Sequence, residues 1–496
     1  MIFAIASIPI LTGVGCAIDY SMAVKMRTRL QAAADIASVA AVAKLSPGYV
    51  AATKMTGDGS VTVGVTDANN VFDSNVSLLT GYTSISRTST VTKTGVTLNS
   101  NVQFSAIVPV TFMQLIGYQN MTVTGSSAGS ASLPSYLDYY LMLDVSGSMG
   151  LPSTNNEQTR MAAVNPDDFV AYPSGCTLAC HFASQNVCTD GGQGYPTNNY
   201  CLGYAISRLS QAGYQKILQT KTSNPMKKQL PSSMISGLPG SLSTDPTYGL
   251  PAASSCPTEG TDACIQLRAD AVGYALTQLF QTANADETVA NQFRIGLYPF
   301  IQYLYPYFAL TSSINGSPTN SSTINYAAAN LASQLDTNTN SNLGSGGTHI
   351  DTALTTMNSL ITTVGDGSTS TNPQPFIFLV TDGAQDPQTK LLNQSGGWSG
   401  SNHATVIDPT QQCQTIKSRG IIISVLYIPY QTIQNPNSSF AGNEDGYANT
   451  NIASIPASLQ GCASPNFFFT ANTPADITTA LNAMFLQSLK VAHITQ

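Results

Sequence analysis

Asp144, Ser146 and Ser148 place one carboxylate and two hydroxyls at alternate positions of the turn Asp144-Val145-Ser146-Gly147-Ser148. The turn follows an apolar run, 139–143, that reads as a buried strand too short for a helix of its own. Hard oxygens gathered at the carboxyl end of a buried parallel strand suit Mg²⁺, Mn²⁺ or Ca²⁺, and suit metals that prefer sulfur poorly. Gly147 is expected to give the turn the freedom to converge them. Alone, such a turn is common, so the reading depends on ligands from elsewhere in the chain. Gly346-Gly347-Thr348 offers a hydroxyl in a glycine-rich loop before a helix, and Asp382 follows the apolar run 375–381. Singly, Thr348 reads as a helix-start residue and Asp382 as a turn former. Taken together and in this order, Asp144, Ser146, Ser148, Thr348 and Asp382 point to one cation site on the ligand-binding edge of an open α/β sheet.

Other chemistries have less to work with. His181, His349, His403 and His493 are the only imidazoles, and none has a Ser or Cys beside it in a nucleophile-type turn. Ser146 and Ser148 fit the cation pattern better than a nucleophile's role, so an enzyme is not expected. His349 adjoins Thr348 but reads as standing outside the ligand set. Trp398, in the polar run 395–401, suits an exposed ligand contact and buried packing equally well. Charged residues make up 9 % of the chain, far below the roughly 25 % of an average soluble domain. A surface wetted by hydroxyls and amides fits an exported, β-rich bacterial protein. The net charge of −7 and the lack of a basic block after residue 30 exclude a nucleic-acid partner, whose phosphates require clustered Lys and Arg.

Positioning the five residues takes buried strands alternating with helices from residue 134 onward. Strands are expected at 139–143, 293–300, 375–381, 421–428 and 467–469, and helices at 263–282, 324–335, 352–361, 413–419 and 473–489. That alternation predicts a doubly wound α/β sheet. Upstream, period-two runs at 60–65, 84–92, 102–108 and 121–125 read as antiparallel strands with one face to water, with a helical turn or loop at 112–118.

Cys16 lies alone in the apolar N-terminal stretch and reads as a packing residue. Cys176, Cys180, Cys188, Cys201, Cys256, Cys264, Cys413 and Cys462 all follow the Asp144 turn, and their even number favours disulfides in an oxidising compartment. A zinc site of Cys176, Cys180, Cys188 and Cys201, or one including His181, is the competing reading. It lacks the paired Cys-x-x-Cys knuckles such sites use. Cys413 and Cys462 fall near the last strands and are expected to pair.

Residues 2–24 are apolar or small except for Asp19, Tyr20 and Ser21. The run 2–18 falls short of the ~20 residues of a bilayer crossing, but continuing it to Val24 or upstream makes a span feasible. No basic lead marks a cleaved secretory signal. Helix formers without Gly or Pro continue through 23–45, so one long helix is expected to start in the membrane and end outside it near Pro47. Lys25, Arg27 and Arg29 would by charge alone stay cytoplasmic, whereas the cysteines and the uncharged surface place the rest of the chain outside. The second expectation is adopted here, with a natural start upstream of Met1.

Two stretches resemble known families. Residues 3–15, then 17–20, then Arg29-Leu30-Gln31-Ala32-Ala33-Ala34-Asp35, resemble the N-terminal helix of TadE/TadG-like proteins of tight-adherence (Flp) pili. The resemblance implies a pilin-like membrane helix over 1–45 with its bulk on the periplasmic side, followed by a β-rich pilin-like domain over 46–133. Asp144, Ser146, Ser148, Thr348 and Asp382 resemble the metal-ion-dependent adhesion site of the von Willebrand factor A domain, over residues 136–489 apart from insertions. That resemblance implies serines, and a threonine when ligand is bound, in contact with the cation. The aspartates often act through water, and one position is left for a partner's oxygen. With two carboxylates, the ion keeps positive charge and attracts an acidic group. The departure from that family is the interval 150–260, which holds Cys176, Cys180, Cys188, Cys201 and Cys256, with Cys264 just beyond. It is expected to form a disulfide-stapled cap beside the site, with fifteen pairings open among the six cysteines.

The sequence thus predicts an A-type domain over 134–496 carried by a pilin-like base. The function it implies is an adhesin at a pilus tip, binding a surface, host or protein ligand through the cation and other pilus subunits through the N-terminal helix. The alternative is an assembly scaffold held in the inner membrane, using the A domain to grip another protein. A hydrolase acting on surface polymers is a third class.

Overall fold

A single helix organises the first part of the chain. α1 (Ile2–Val42) buries a stripe of mostly small residues, Ala23, Met26, Leu30, Ala33, Ala34, Ala37 and Ala41, at the three- and four-residue spacing of one helix face. The computed structural model describes residues 2–164, 207, 255–261, 264–336, 340–344, 346–387, 403–430, 432 and 445–492. They fall into two compact units: Met1–Tyr136 with Asp366–Pro373 and Ala492–Gln496, and Leu137–Gly365 with Gln374–Val491.

In the first unit α1 lies across an antiparallel sheet of β1 (Gly59–Ser60), β2 (Ser84–Thr94), β3 (Thr97–Pro109) and β4 (Asn120–Ser132), in the order β1-β2-β3-β4. α2 (Pro47–Ala52), capped by the Ser46 hydroxyl, follows α1. β4 is an edge strand, with backbone carbonyls that would otherwise lack partners. α1 covers them: Arg27 Nε donates to Thr124 O (3.0 Å) and Gln31 Nε2 to Ser126 O (2.8 Å). The approach is close enough that a Cβ at Gly129 would lie 2.7 Å from Ser38 O, so only glycine fits there. The run Leu30-Gln31-Ala32-Ala33-Ala34-Asp35 therefore docks the helix on its sheet, with Leu30 and Ala34 fully buried.

One expectation for this unit fails. The run 60–65 is not a strand: only Gly59–Ser60 pairs, and α3 (Thr62–Val76) begins directly after it. Gly64, Ala68, Phe72 and Val76 recur every fourth residue and are buried, and this longer stripe overrides the local Val alternation. Among the described residues no helix is long and apolar enough to cross a membrane. Asp19 interrupts the apolar run, and its carboxylate serves the protein itself. It is 3 % exposed and accepts from the amides of Thr111 (3.0 Å), Phe112 (2.7 Å) and Met113 (2.8 Å). Burial pushes its pKa up, but these three amides outweigh that and hold it below its ordinary value.

The second unit contains a six-stranded sheet, β10-β9-β8-β5-β6-β7. Its strands are β5 (Leu137–Asp144), β6 (Phe293–Phe300), β7 (Phe308–Thr311), β8 (Gln374–Thr381), β9 (Ile422–Tyr427) and β10 (Phe468–Thr470). Only β7, at one edge and unforeseen, is antiparallel to its neighbour. Every residue of β5 is buried, as expected of a central parallel strand flanked by β6 and β8. The helices are α4 (Asn155–Val164), α5 (Arg268–Asp286), α6 (Ile324–Ala329), α7 (Ile350–Leu360), α8 (Gln412–Ser418), α9 (Asp445–Asn451), α10 (Ile455–Cys462) and α11 (Pro474–Ala492). On one face Tyr140, Met142, Ile377 and Leu379 pack with Leu354 and Met357 of α7, Ile416 of α8 and Leu459 of α10. The alternate side chain Tyr139 contacts Phe293, Phe376, Phe378 and Phe485 of α11, and its hydroxyl lies 2.7 Å from Ser488 Oγ. The helix expected over 324–335 is α6 followed by a separate 3-10 turn, Leu331–Gln334.

Cys413 and Cys462 form a disulfide between α8 and α10, and Cys256 pairs with Cys264. Cys16 is a free thiol. Cys176, Cys180, Cys188 and Cys201, with the zinc reading that uses them, lie outside the described residues, as do His181, His493, Trp398 and most of the interval 150–260.

Candidate metal centre

Asp144 is the last residue of β5 and is 1 % exposed. Its Oδ1 accepts from the Ser146 amide (2.9 Å) and the Ser146 hydroxyl (2.6 Å), and its Oδ2 from the Thr381 hydroxyl (2.7 Å) at the end of β8. Ser146 Oγ and Ser148 Oγ stand 3.2 Å apart. The chain then turns through a 3-10 helix, Gly147–Gly150, in which Gly147 has no positive φ. The left-handed freedom expected of Gly147 is not used. A short helical turn brings the two hydroxyls together.

Asp382 follows β8 and is fully buried, yet neither of its carboxylate oxygens has a hydrogen-bond partner among the described residues. A guanidinium nitrogen of Arg268 lies 3.6 Å from it, at the first residue of α5. Arg268 is itself 4 % exposed; its Nη2 donates to Pro429 O at 3.0 Å, while Nη1 makes no hydrogen bond among the described residues. Burial, and then the nearby charge of Asp144, push the Asp382 carboxyl up to about 7, opposed by Arg268 and by Ser148 and the Ala384 amide, which approach it without reaching hydrogen-bond geometry. Asp144 is also raised by burial, against the bonds from Ser146 and Thr381. Two buried carboxylates thus share one arginine, and one of them lacks the bonds a buried carboxylate ordinarily has. An orphaned carboxylate beside paired hydroxyls is a donor set that a hard divalent cation would satisfy.

Thr348 is held from its backbone. Its amide donates to Asp386 O, and the Asp386 amide to Thr348 O, both at 2.9 Å, pairing its loop with the one that follows Asp382. Gly347 must be glycine for this: its φ is +78° and a Cβ would lie 2.3 Å from Asp386 O. Two contacts invisible in the sequence brace the loops. Asp336 donates its amide to Val145 O (3.0 Å) and accepts the Gly346 amide on Oδ2 (2.9 Å), tying the Asp144 loop to the Thr348 loop. Gln385 Nε2 donates to Asp351 Oδ2 (2.7 Å) and its Oε1 accepts the Asp351 amide (3.0 Å), fixing the start of α7. The structure therefore brings Asp144, Ser146, Ser148 and Asp382 together at the carboxyl edge of the sheet. Thr348 sits on the loop paired with the Asp382 turn. His349 starts α7, donating its amide to Ile301 O (2.8 Å). Among the described residues no group of three or more His, Cys, Asp or Glu could hold a metal, so a cation here relies on hydroxyls beside two carboxylates.

A buried latch joins the two ends of the long interval between β5 and α5. Glu157 on α4 is fully buried and accepts from the amides of Gly260 (2.6 Å) and Gln266 (2.8 Å) and from Arg160 Nη1 (2.8 Å). Arg160 Nη2 donates to Thr261 O at 2.7 Å, and Ser153 Oγ to Gln266 Oε1 at 2.7 Å. The Cys256–Cys264 disulfide closes the same knot, and the Arg268 amide donates to Leu151 O at 2.8 Å. The latch thereby sets where α5 begins, and so where Arg268 meets Asp382.

Residues 1–44 match the family model described as Tad, putative Flp pilus-assembly TadE/G-like. No curated protein sequence matches the chain. Among solved structures, the vWF domain of the type V pili tip protein Mfa5 from Porphyromonas gingivalis is similar at 13 % identity, over 46 % of this chain and 89 % of that one, with a TM-score of 0.28. The PilB minor pilin from Streptococcus sanguinis is similar at 10 % identity, over 83 % of this chain and 80 % of that one, with a TM-score of 0.30. Proximal thread matrix protein 1 from the mussel byssus is similar at 15 % identity over 45 % of this chain, with a TM-score of 0.27, and this chain spans 43 % of its length.

Proposed function

We propose that this chain is a pilus-associated adhesive subunit, not an enzyme, and that it binds its partner through a divalent cation at the carboxyl edge of a doubly wound, von Willebrand A-type sheet. The observation that carries this reading is the buried Asp382 carboxylate, without hydrogen bonds, beside the Asp144, Ser146 and Ser148 cluster. Ser146, Ser148 and Thr348 would supply hydroxyl oxygens to the ion, with Asp144 and Asp382 supplying charge. A bound Mg²⁺, Mn²⁺ or Ca²⁺ would supply residual positive charge for an acidic group on the partner. Asp144 keeps Ser146 oriented by accepting both its amide and its hydroxyl. Arg268 supplies the only cationic side chain in contact with Asp382 among the described residues, and so favours the ionised carboxylate the ion needs.

The pilus context rests on the family match over residues 1–44 and on α1. Its outward side leaves Val14, Ile18, Met22, Ile36 and Val39 between 45 % and 60 % exposed, two apolar patches on either side of the exposed Lys25 and Arg29 that suit packing against other pilus subunits. A tip position fits a large head on a pilin-like base. Fractionation checks it: the chain is expected in sheared pili, and its complete retention in membranes would favour the assembly-scaffold reading. For the cation, Asp144→Ala and Asp382→Ala are each expected to abolish Mg²⁺-dependent adhesion while the circular-dichroism spectrum of the folded chain persists. Adhesion that survives EDTA would remove the ion from the mechanism.

A further inference from the structure

Away from the cation site, α5, α6 and the loop before α6 enclose a cleft of about 540 Å³, within the ~300–1,000 Å³ typical of small-molecule sites. Tyr274, Gln278 and Gln281 line it from one face of α5, at the four- and three-residue spacing that aligns helical side chains. Asn315 and Thr319 line it from the loop, and Asn325 from α6. Asn325 is 5 % exposed, and its amide oxygen has no hydrogen-bond partner among the described residues. A buried acceptor without a donor calls for one from outside. Among the described lining residues Asp270 alone carries charge, and its oxygens already accept the amides of Cys256 (3.2 Å) and Leu267 (3.0 Å).

Those features narrow the occupant. A charged ligand would find no free counter-charge, and an apolar one would strand the amides it covers. Side-chain amides offer donors and acceptors side by side, which suits adjacent hydroxyls that both donate and accept. Tyr274, 41 % exposed, adds a flat apolar ring with a polar tip at the wall. We propose that this cleft binds a neutral sugar unit of a glycan. The Cys256–Cys264 disulfide and the Asp270 cap hold the Ser255 and Pro257 wall in place, so the cleft is formed before any ligand arrives. It uses none of the proposed cation ligands, so the two proposals stand or fall separately.

An array of neutral and sialylated oligosaccharides, probed with the full chain in EDTA, tests the proposal. Neutral glycans should be retained, equally by Asp144→Ala, and their affinity should fall about tenfold or more in Tyr274→Ala and in Gln281→Ala, each removing at least one polar contact. Gln281 is on the exposed face of α5, so its substitution leaves the fold unaffected. Retention of no neutral glycan, equal or stronger binding of sialylated ones, loss of binding in EDTA, or unchanged affinity in both variants would each overturn it. Capture of peptides from a displayed library in place of sugars would also overturn it.

Discussion

Arg268→Leu is expected to destabilise the second unit by about 3–5 kcal/mol in chelator, the usual cost of removing one partner of a buried ion pair. Arg268 and Asp382 are both almost wholly inaccessible to water, and among the described residues the carboxylate has no hydrogen bond to fall back on. Without the guanidinium, the charges of Asp382 and Asp144 repel each other in a medium that screens them weakly. The loss should be larger at pH 8 than at pH 5, where a carboxyl can take up a proton instead of staying charged. Mg²⁺ should then restore more stability to Arg268→Leu than it adds to the wild type, because a divalent ion replaces the missing positive charge. Urea unfolding at both pH values, with and without Mg²⁺, reads all of this. A variant as stable as wild type in chelator at pH 8 would mean that Arg268 does not hold Asp382.

Glu157→Ala should cost a similar amount, about 3–5 kcal/mol, at a site no ligand touches. The Glu157 carboxylate is fully buried and collects the amides of Gly260 and Gln266 along with the Arg160 guanidinium. Alanine leaves the buried Gln266 amide and the more exposed Gly260 amide without their acceptor and Arg160 without its counter-charge, and each buried orphan costs about 1–3 kcal/mol or more. Glu157→Gln keeps an acceptor but loses the charge, so it should fall between alanine and wild type. Because the latch sets the first residue of α5, both substitutions should also displace Arg268 and so, as in Arg268→Leu, raise the stability that Mg²⁺ adds, although Glu157 is not a ligand. Chemical denaturation measures the first effect. Mg²⁺ affinity in the folded variant measures the second, and stability equal to wild type in Glu157→Ala would remove the latch from the account.

The elements that carry the site could be read from the sequence because their signals are local. β5, β8 and β9 are apolar runs buried along nearly their whole length, and each ends or begins at a polar turn, as a parallel strand covered on both faces should. Asp144, Ser146 and Ser148 were legible as a cluster because alternate positions of one turn point their oxygens together. Asp382 was legible from its place after β8. What holds them was not. Arg268 and Glu157 are single charged residues whose partners lie far away along the chain, Asp382 for Arg268 and Gln266 for Glu157. No periodicity marks such a pairing before the fold exists.

The misread stretches have local causes too. The Val alternation at 61–65 is a short period-two pattern inside the longer four-residue stripe of α3, and burial follows the longer one. β7 is a four-residue edge strand with weak burial, too short to stand out. Asp19 interrupts the apolar N-terminal run for a reason that lies in the turn at Met113–Ile116, more than ninety residues later.

The central claim is that Asp382 and its neighbours hold a divalent cation, and a Mg²⁺ titration of thermal unfolding tests it most directly. The Asp382 carboxyl is raised from 3.8 to about 7 in the folded chain. Its ionisation therefore weakens the cation-free fold as pH rises between those values, and stability is fullest below the lower one. A cation needs the ionised form, so its binding should strengthen over the same interval. At pH 8 the wild-type midpoint is expected to climb with Mg²⁺ and level off, by about 2.7 kcal/mol of added stability at one hundred times the dissociation constant. The climb should be much smaller at pH 5 and absent in Asp382→Ala. A wild-type midpoint that ignores Mg²⁺, Mn²⁺ and Ca²⁺ at pH 8 would contradict the account.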